Sequence, residues 1–200
     1  VLNRHPDEPD FKVPNMSPVE GLDRARLRKR VKLTEQFDDL RRDLISTLDV
    51  SDLNAVNQLA YDLLTSPKVA DAFDLADEGE TERERYGMQT FGQSVLLARR
   101  LLESGVKLVT VYWHRDKPGV DTTWDTHKDN FKGLKDRLVP QVDQPIAHLL
   151  NDLEERGMLE DTLVVWNSEF GRTPKVNKNA GRDHWGRCNT IWLAGAGVPG

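Results

Sequence analysis

The chain has 200 residues, of which 38% are hydrophobic, enough for one substantial domain with its own core. Its formal net charge of -5 excludes the broad basic surface that binding to nucleic acid or to an anionic membrane requires. The only cysteine, Cys188, excludes an intrachain disulfide and a cysteine-based zinc cluster. No apolar run approaches the ~20 residues that cross a bilayer, so we expect no membrane insertion and no nucleic-acid partner.

Residues 1–86 are predicted to be mainly helical. Residues 1–17 indicate an extended arm, and Ser17, Pro18 and Glu20 form a capping box that begins an amphipathic helix reaching about Leu48. The other predicted features of this part are a helix over 51–67, a shorter helix that begins at the Ser-Pro pair 66–67, and a break over the acidic run 77–87.

Residues 87–200 show alternating helical and strand-like patterns. The predicted elements are a helix over 90–103, a strand over 106–113, a helix over 129–156 that is broken or kinked near Pro140 and Pro145, a strand over 162–168 and a further apolar run over 189–195. Strands separated by helices favour a mostly parallel sheet with helices on both faces. We therefore expect a single α/β domain in which ligands bind beyond the carboxyl ends of the strands.

Two polar segments follow the predicted strands. Asp125 and His127, in "WDTH", lie on one side of an extended backbone and offer an oxygen and a nitrogen donor that suit a divalent cation. Alternatively, Asp125 caps the helix that follows. Glu169 comes directly after the strand over 162–168. Three interpretations are open for it: a metal ligand, an exposed acid, or an ion-pair partner of Arg172.

The second polar segment also holds a cation and an acid-histidine pair. The guanidinium of Arg172 offers a planar fork for phosphate or sulfate oxygens. Asp183 and His184 are adjacent, so a tight loop is needed to bring them together, and His184 is a metal ligand, a general acid or base, or a packed residue. No side-chain nucleophile is evident, because the chain has no G-x-S-x-G motif and no glycine-rich phosphate loop.

Four stretches resemble the DUF1501 proteins, bacterial proteins of unassigned function related to sulfatases and alkaline phosphatases. They are "RYGMQTFGQSVLLARRLLESGVKLVTVYW", "WDTHKDNFKGLK", "LEERGMLEDTLVVWNSEFGRTP" and "GRDHW". The resemblance implies an alkaline-phosphatase-like, three-layer αβα sandwich with a mostly parallel sheet. It also implies export to the periplasm. Because the chain begins at Val1 and has no counterpart of the superfamily's first strand and nucleophile, we expect a fragment that is incomplete at its N-terminus.

The resemblance also implies a divalent metal ion, such as zinc, manganese or calcium. Its implied ligands are Asp125, His127, Glu169, Asp183 and His184. The implied function is hydrolysis of a small sulfate or phosphate ester, with Arg172 balancing the charge of the anion and His184 as the alternative proton donor. The alternative function is a non-catalytic binding or scaffold protein that keeps the same loops.

Overall fold

The computed structural model describes residues 66–113 and 123–198, together with residues 6–8, 11, 29 and 32. The chain divides into two compact units, one of residues 1–77 and 100–109 and the other of residues 78–99 and 110–200. The described helices are α1 (Pro67–Ala72), α2 (Glu80–Arg85), α3 (Thr90–Glu103), α4 (Asn130–Gly133) and α5 (Val139–Glu155), with a π-helical turn over Leu134–Leu138 and a 3-10 turn over Leu75–Asp77. Among the residues that the structure describes, no helix has the length and apolar character needed to span a membrane.

The first unit contains α1, which begins as the sequence predicts. The hydroxyl of Ser66 accepts a hydrogen bond from the backbone N–H of Val69 at 3.4 Å, and Pro67 occupies the first turn, where its missing N–H is harmless. Arg100 donates to the carbonyls of Asp71 and Ala72 at 2.7 and 2.9 Å, which satisfies the end of this short helix. The Ser-Pro pair therefore does begin a helix.

Two of the helices predicted within residues 87–200 are confirmed. Helix α3 spans the predicted residues, and Gly105 follows it with a φ of 98°, the left-handed conformation that suits glycine after a helix. The helix predicted over 129–156 runs as α4, the π turn and α5, so neither proline ends it. Pro145 cannot donate to the carbonyl of Gln141, and the side chain of Gln89 donates to that carbonyl instead at 3.1 Å.

The core of the second unit is formed by buried residues of α3, the π turn and α5, together with Tyr86. Its buried apolar side chains are Tyr86, Phe91, Val95, Leu96, Leu97, Leu138, Leu149 and Leu153.

The acidic run over 77–87 contains α2 and is not the predicted break. Basic residues in its last turn and acidic residues in its first complement the helix dipole, which explains why so polar a segment is helical.

The prediction of a mostly parallel three-layer sandwich is wrong. The described strands are β1 (Val164–Trp166), β2 (Gly171–Val176), β3 (Arg182–Trp185) and β4 (Trp192–Ala194), and they form two antiparallel pairs, β1 with β4 and β2 with β3. A parallel connection needs a crossover, usually a helix, and no helix lies between β1 and β4. The chain instead reverses once, in the turn over 177–181, so 164–194 forms one interrupted ribbon.

The prediction of a strand over 106–113 is also wrong, because these described residues belong to no helix or strand. They have the alternating composition of a strand, but within the described ranges no second strand pairs with them. The side chains of Leu108 and Tyr112 are each 82% exposed. Of the helix predicted up to Leu48, the structure describes only Lys29 and Lys32, both helical, and the helix predicted over 51–67 lies largely outside the described residues.

Candidate metal centre

The candidate centre lies where the β2–β3 hairpin contacts the segment over 124–130. Arg172 and His184 face each other directly across the two strands, so their side chains project from the same face. The register then shifts between Arg172 and Val176, which places extra residues of β2 opposite Asp183. Such a bulge turns side chains away from their regular positions, and it includes Pro174, which has no N–H for a ladder.

The "WDTH" segment runs beside the turn of this hairpin. The backbone N–H groups of Asp129 and Asn130 donate to the carbonyls of Asn179 and Ala180 at 3.0 and 2.9 Å. The N–H of Arg182 donates to the carbonyl of Thr126 at 3.1 Å. These bonds fix the backbone on either side of His127. The segment lies alongside the hairpin turn, with one antiparallel bridge between Lys128 and Ala180.

A glycine makes this close approach possible. A Cβ atom added at Gly181 would overlap the carbonyl group of His127 and would also crowd the N–H of Lys128. Ala180, one residue earlier, has a φ of 57°, in the left-handed region that tightens the turn. At Gly181 the backbone of the hairpin therefore lies directly against the backbone of the "WDTH" segment.

Three potential ligand atoms converge at this contact, and together they are called the Asp125 cluster. The Nε2 atoms of His127 and His184 lie 3.0 Å apart, and they lie 3.0 and 2.7 Å from Oδ1 of Asp125. Bonds of about 2.1 Å that meet near a right angle at a metal ion would separate ligand atoms by about 3 Å. The cluster therefore fits two nitrogens and one oxygen on the same side of a transition metal. The side chains are 44–49% exposed, which leaves the other side open to solvent.

Arg172 contributes charge to the cluster but has few free donors. Its guanidinium donates to the carbonyls of Trp124 and Arg182 at 3.2 and 3.1 Å, and a short ion pair joins it to Oδ1 of Asp125. The same guanidinium lies 3.4 Å from Nε2 of His127. In this arrangement Arg172 ties the "WDTH" segment to the hairpin, and its fork is not free for an anion.

The charges around the cluster keep both aspartates ionised. Partial burial raises the pKa of Asp125, but hydrogen bonds from Arg172 and His184 outweigh it and lower the pKa to about 2. Hydrogen bonds from Asn177 and His127 lower the pKa of Asp183 below its usual value. Both carboxylates are thus negatively charged at neutral pH, the state that a cation requires.

The structure brings together four of the five predicted ligands, although not as one shell. Asp183 contacts the far nitrogen of His127, Nδ1, at 3.1 Å, and it does not join the three converging atoms. Glu169 is exposed, is absent from the cluster and makes no hydrogen bond with another described residue. The predicted ligand set therefore separates into three converging groups, one carboxylate that contacts a ligand, and one exposed acid outside the cluster.

A second group of acids and histidine, formed by Glu82, His148 and Asp152, is a poorer cation site. Its ligand atoms lie close together, but Asp152 already pairs with Arg99 at 3.0 Å and with Arg156 at 2.6 Å. Tyr86 also donates to Asp152 at 2.6 Å. Two guanidinium groups balance this carboxylate, so a divalent cation would meet a positive field. This group is a structural network between α2, α3 and α5.

Sequence reasoning did not identify Asn177, which is central to the geometry. Its amide nitrogen donates to Oδ1 of Asp183 and to the carbonyl of His127, both at 3.0 Å. Its amide oxygen accepts from the N–H groups of Asn179 and Gly181 at 2.9 and 3.0 Å. The sequence does indicate a turn here, because Asn177 lies four residues before Gly181 between two strand-like runs. The bonds from Asn177 to His127 and Asp183 cannot be predicted from the neighbouring residues.

The chain was compared with known families, curated proteins and solved structures. Residues 2–200 match the family described as "Protein of unknown function (DUF1501)". No curated protein and no solved structure matches the chain. The match covers nearly the whole sequence, including both segments that form the candidate centre. The chain therefore belongs to the DUF1501 family.

Proposed function

We propose that the protein is a metal-dependent hydrolase of small phosphate or sulfate esters, with the cation held by the Asp125 cluster. The observation that carries the proposal is the convergence of Asp125, His127 and His184 within about 3 Å of one another at a half-exposed position. The Glu82, His148 and Asp152 group lacks this openness. The antiparallel ribbon does not support the relation to sulfatases that the resemblance implies. The proposal therefore rests on the Asp125 cluster and on the motifs "SEFGR" and "GRDHW".

The residues around the cluster fit this chemistry in specific ways. A bound divalent cation would polarise the ester and lower the pKa of a nearby water. Arg172 donates its hydrogen bonds to Trp124, Arg182 and Asp125, so it would act on an anionic substrate through its positive charge alone. The ring of Phe170 lies 4.4 Å from that of His184 and shields one side of this ligand. The open side of the cluster is where the substrate would bind.

The attacking group in this proposal is water. The described hydroxyls near the cluster are already engaged, since Thr173 accepts from the N–H of Asp183 at 3.1 Å and Thr126 bonds to Asn130. Ser168 donates to Asn189 at 3.1 Å. His184 acts as a ligand here, because the alternative, in which it protonates the leaving group, requires its Nε2 to be free of the cation.

The test combines metal binding with hydrolysis by the full chain. Zinc, manganese and calcium are each titrated by calorimetry, and release of p-nitrophenol from its phosphate and sulfate esters is then followed with each ion. We expect one zinc or manganese ion per chain, and loss of both binding and turnover in Asp125→Ala and His184→Ala. His148→Ala, which removes a histidine from the other group, should keep both.

Three outcomes would contradict the hydrolase proposal. A wild-type chain that binds none of the three ions has no metal centre. Turnover that survives in Asp125→Ala and His184→Ala would place the chemistry elsewhere. A third outcome, one ion bound without turnover of either ester, would instead support the non-catalytic binding function, which the engaged guanidinium of Arg172 and the engaged hydroxyls favour.

A further inference from the structure

The carboxylate of Asp183 contacts the side of His127 that faces away from the cluster. Oδ1 of Asp183 lies 3.1 Å from Nδ1 of His127, and Nε2 of the same ring lies in the cluster. An ionised carboxylate only accepts hydrogen bonds, so Nδ1 carries a proton there. In the neutral ring Nε2 is then the nitrogen with the free lone pair, which is the form that binds a cation.

Asp183 is itself held in place from two directions. The backbone N–H of Asp183 donates to the hydroxyl of Thr173 at 3.1 Å, because the bulge in β2 removes the regular ladder bond. The amide of Asn177 donates to Oδ1 of Asp183 and, from the same nitrogen, to the carbonyl of His127. One side chain thus fixes both partners of the contact.

We propose that Asp183 is a positioning residue and not a metal ligand: it sets the tautomer and orientation of His127, and Asn177 keeps the two in register. The inference rests on the metal-binding part of the proposed function and is independent of the reaction. It reassigns one of the five ligands implied by the resemblance. It also explains why a carboxylate beside the cluster does not converge with the other three groups.

The first test is the zinc affinity of the full chain, measured by calorimetry with zinc alone. We expect Asp183→Ala to weaken binding by roughly 10- to 100-fold while the stoichiometry stays the same, the usual effect of removing a carboxylate that supports a histidine ligand. Asp183→Asn should recover part of this loss, because its amide oxygen still accepts the Nδ1 proton. Asp161→Ala, an exposed acid outside the cluster, is the matched control.

The second test separates positioning from ligation and does not use affinity. Cobalt(II) replaces zinc, and the visible spectrum reports the number and type of its ligands. We expect the spectra of Asp183→Asn and wild type to have the same shape and intensity, since no ligand is lost. In the zinc-loaded wild type, nitrogen NMR of His127 should show a proton on Nδ1 and none on Nε2, a measurement that also stands if Asp183→Ala fails to fold.

The failures of the two proposals are distinguishable. A wild type that binds none of zinc, manganese and calcium overturns the metal centre and this inference together. Zinc binding of wild-type strength in Asp183→Ala overturns the inference alone. A cobalt spectrum in Asp183→Asn that shows a lost ligand would make Asp183 part of the coordination shell, and a proton on Nε2 of His127 in the zinc-loaded protein would contradict the assigned tautomer.

Discussion

At the scale of single residues, one carboxylate oxygen organises the candidate centre. Oδ1 of Asp125 accepts from Arg172 and contacts both histidines. A bound cation would therefore take the place of the protons between this oxygen and the histidine nitrogens, and Arg172 and the cation would both pair with the same carboxylate. The sequence identifies Asp125, His127 and His184 as candidate ligands because their chemistry is evident locally. It cannot separate the supporting role of Asp183 from ligation, since that depends on which ring nitrogen of His127 it contacts.

The lowered pKa of Asp125 predicts how stability depends on acid. Its folded pKa, about 2, lies below the usual 3.8, so its contribution is complete above 3.8 and is lost as the pH falls towards 2. We expect Asp125→Asn to be less stable than wild type at neutral pH, by less than about 1 kcal/mol because the pair is half exposed. Urea unfolding at a series of pH values should show this difference shrinking between pH 3.8 and 2.

The control for this prediction is Asp161→Asn, which removes an exposed acid of the same type outside the cluster. Its stability relative to wild type should not follow the same acid transition. A difference between Asp125→Asn and wild type that stays constant across the whole pH range would show that the ion pair with Arg172 contributes nothing to folding.

At the scale of secondary structure, helices and strands differ in how far the sequence predicts them. The Ser-Pro pair at 66–67 and the glycine after α3 are local signals, and both helix ends are confirmed. Strand pairing is not local: the apolar runs over 162–168 and 189–195 do contain β1 and β4, but their antiparallel pairing follows from the turn between them. Gly181 is a second feature that local sequence does not predict. Only glycine fits at this position, because the backbone of His127, far away in the sequence, occupies the space of a side chain.

Gly181→Ala should uncouple the hairpin from the "WDTH" segment. The added Cβ would overlap the His127 carbonyl, and overpacking of this kind costs about 1–3 kcal/mol. We expect lower stability in urea unfolding and a loss of zinc binding that exceeds the loss of helical signal in circular dichroism. The damage should concentrate at the candidate centre because the clash is there.

Gly186→Ala is the matched control for this prediction. Gly186 lies at the other end of β3, and a Cβ atom added there would meet no atom of the described residues within 4 Å. This variant should keep the stability and the zinc affinity of the wild type. Equal losses in both variants would indicate a general effect of replacing glycine in the ribbon and would contradict the specific contact between Gly181 and His127.

At the scale of the whole molecule, a buried polar network and a half-exposed centre occupy the second unit. Asp152 is buried, and burial raises its pKa, but Tyr86, Arg156 and Arg99 together lower it below its usual value. Burial and this carboxylate raise the pKa of Tyr86, so its hydroxyl stays protonated and donates. The network thus joins three helices, whereas the Asp125 cluster carries the groups that remain available for a ligand.

Tyr86→Phe should destabilise the protein without affecting metal binding. It removes the 2.6 Å hydrogen bond to Asp152 inside the core, where losing a partner of a charged group costs about 1–3 kcal/mol. Urea unfolding measures the loss, and zinc titration should give the wild-type affinity. Tyr112→Phe, at a tyrosine that is 82% exposed, is the control and should be neutral. A neutral Tyr86→Phe would contradict the role given to the network.

The central claim is that Asp125, His127 and His184 hold one metal ion. Anomalous diffraction at the zinc edge, from crystals of the full chain soaked in zinc, tests it most directly. We expect one peak about 2.1 Å from Oδ1 of Asp125 and from Nε2 of both histidines. A peak at the Glu82, His148 and Asp152 group instead, or no peak beside Asp125, would contradict it.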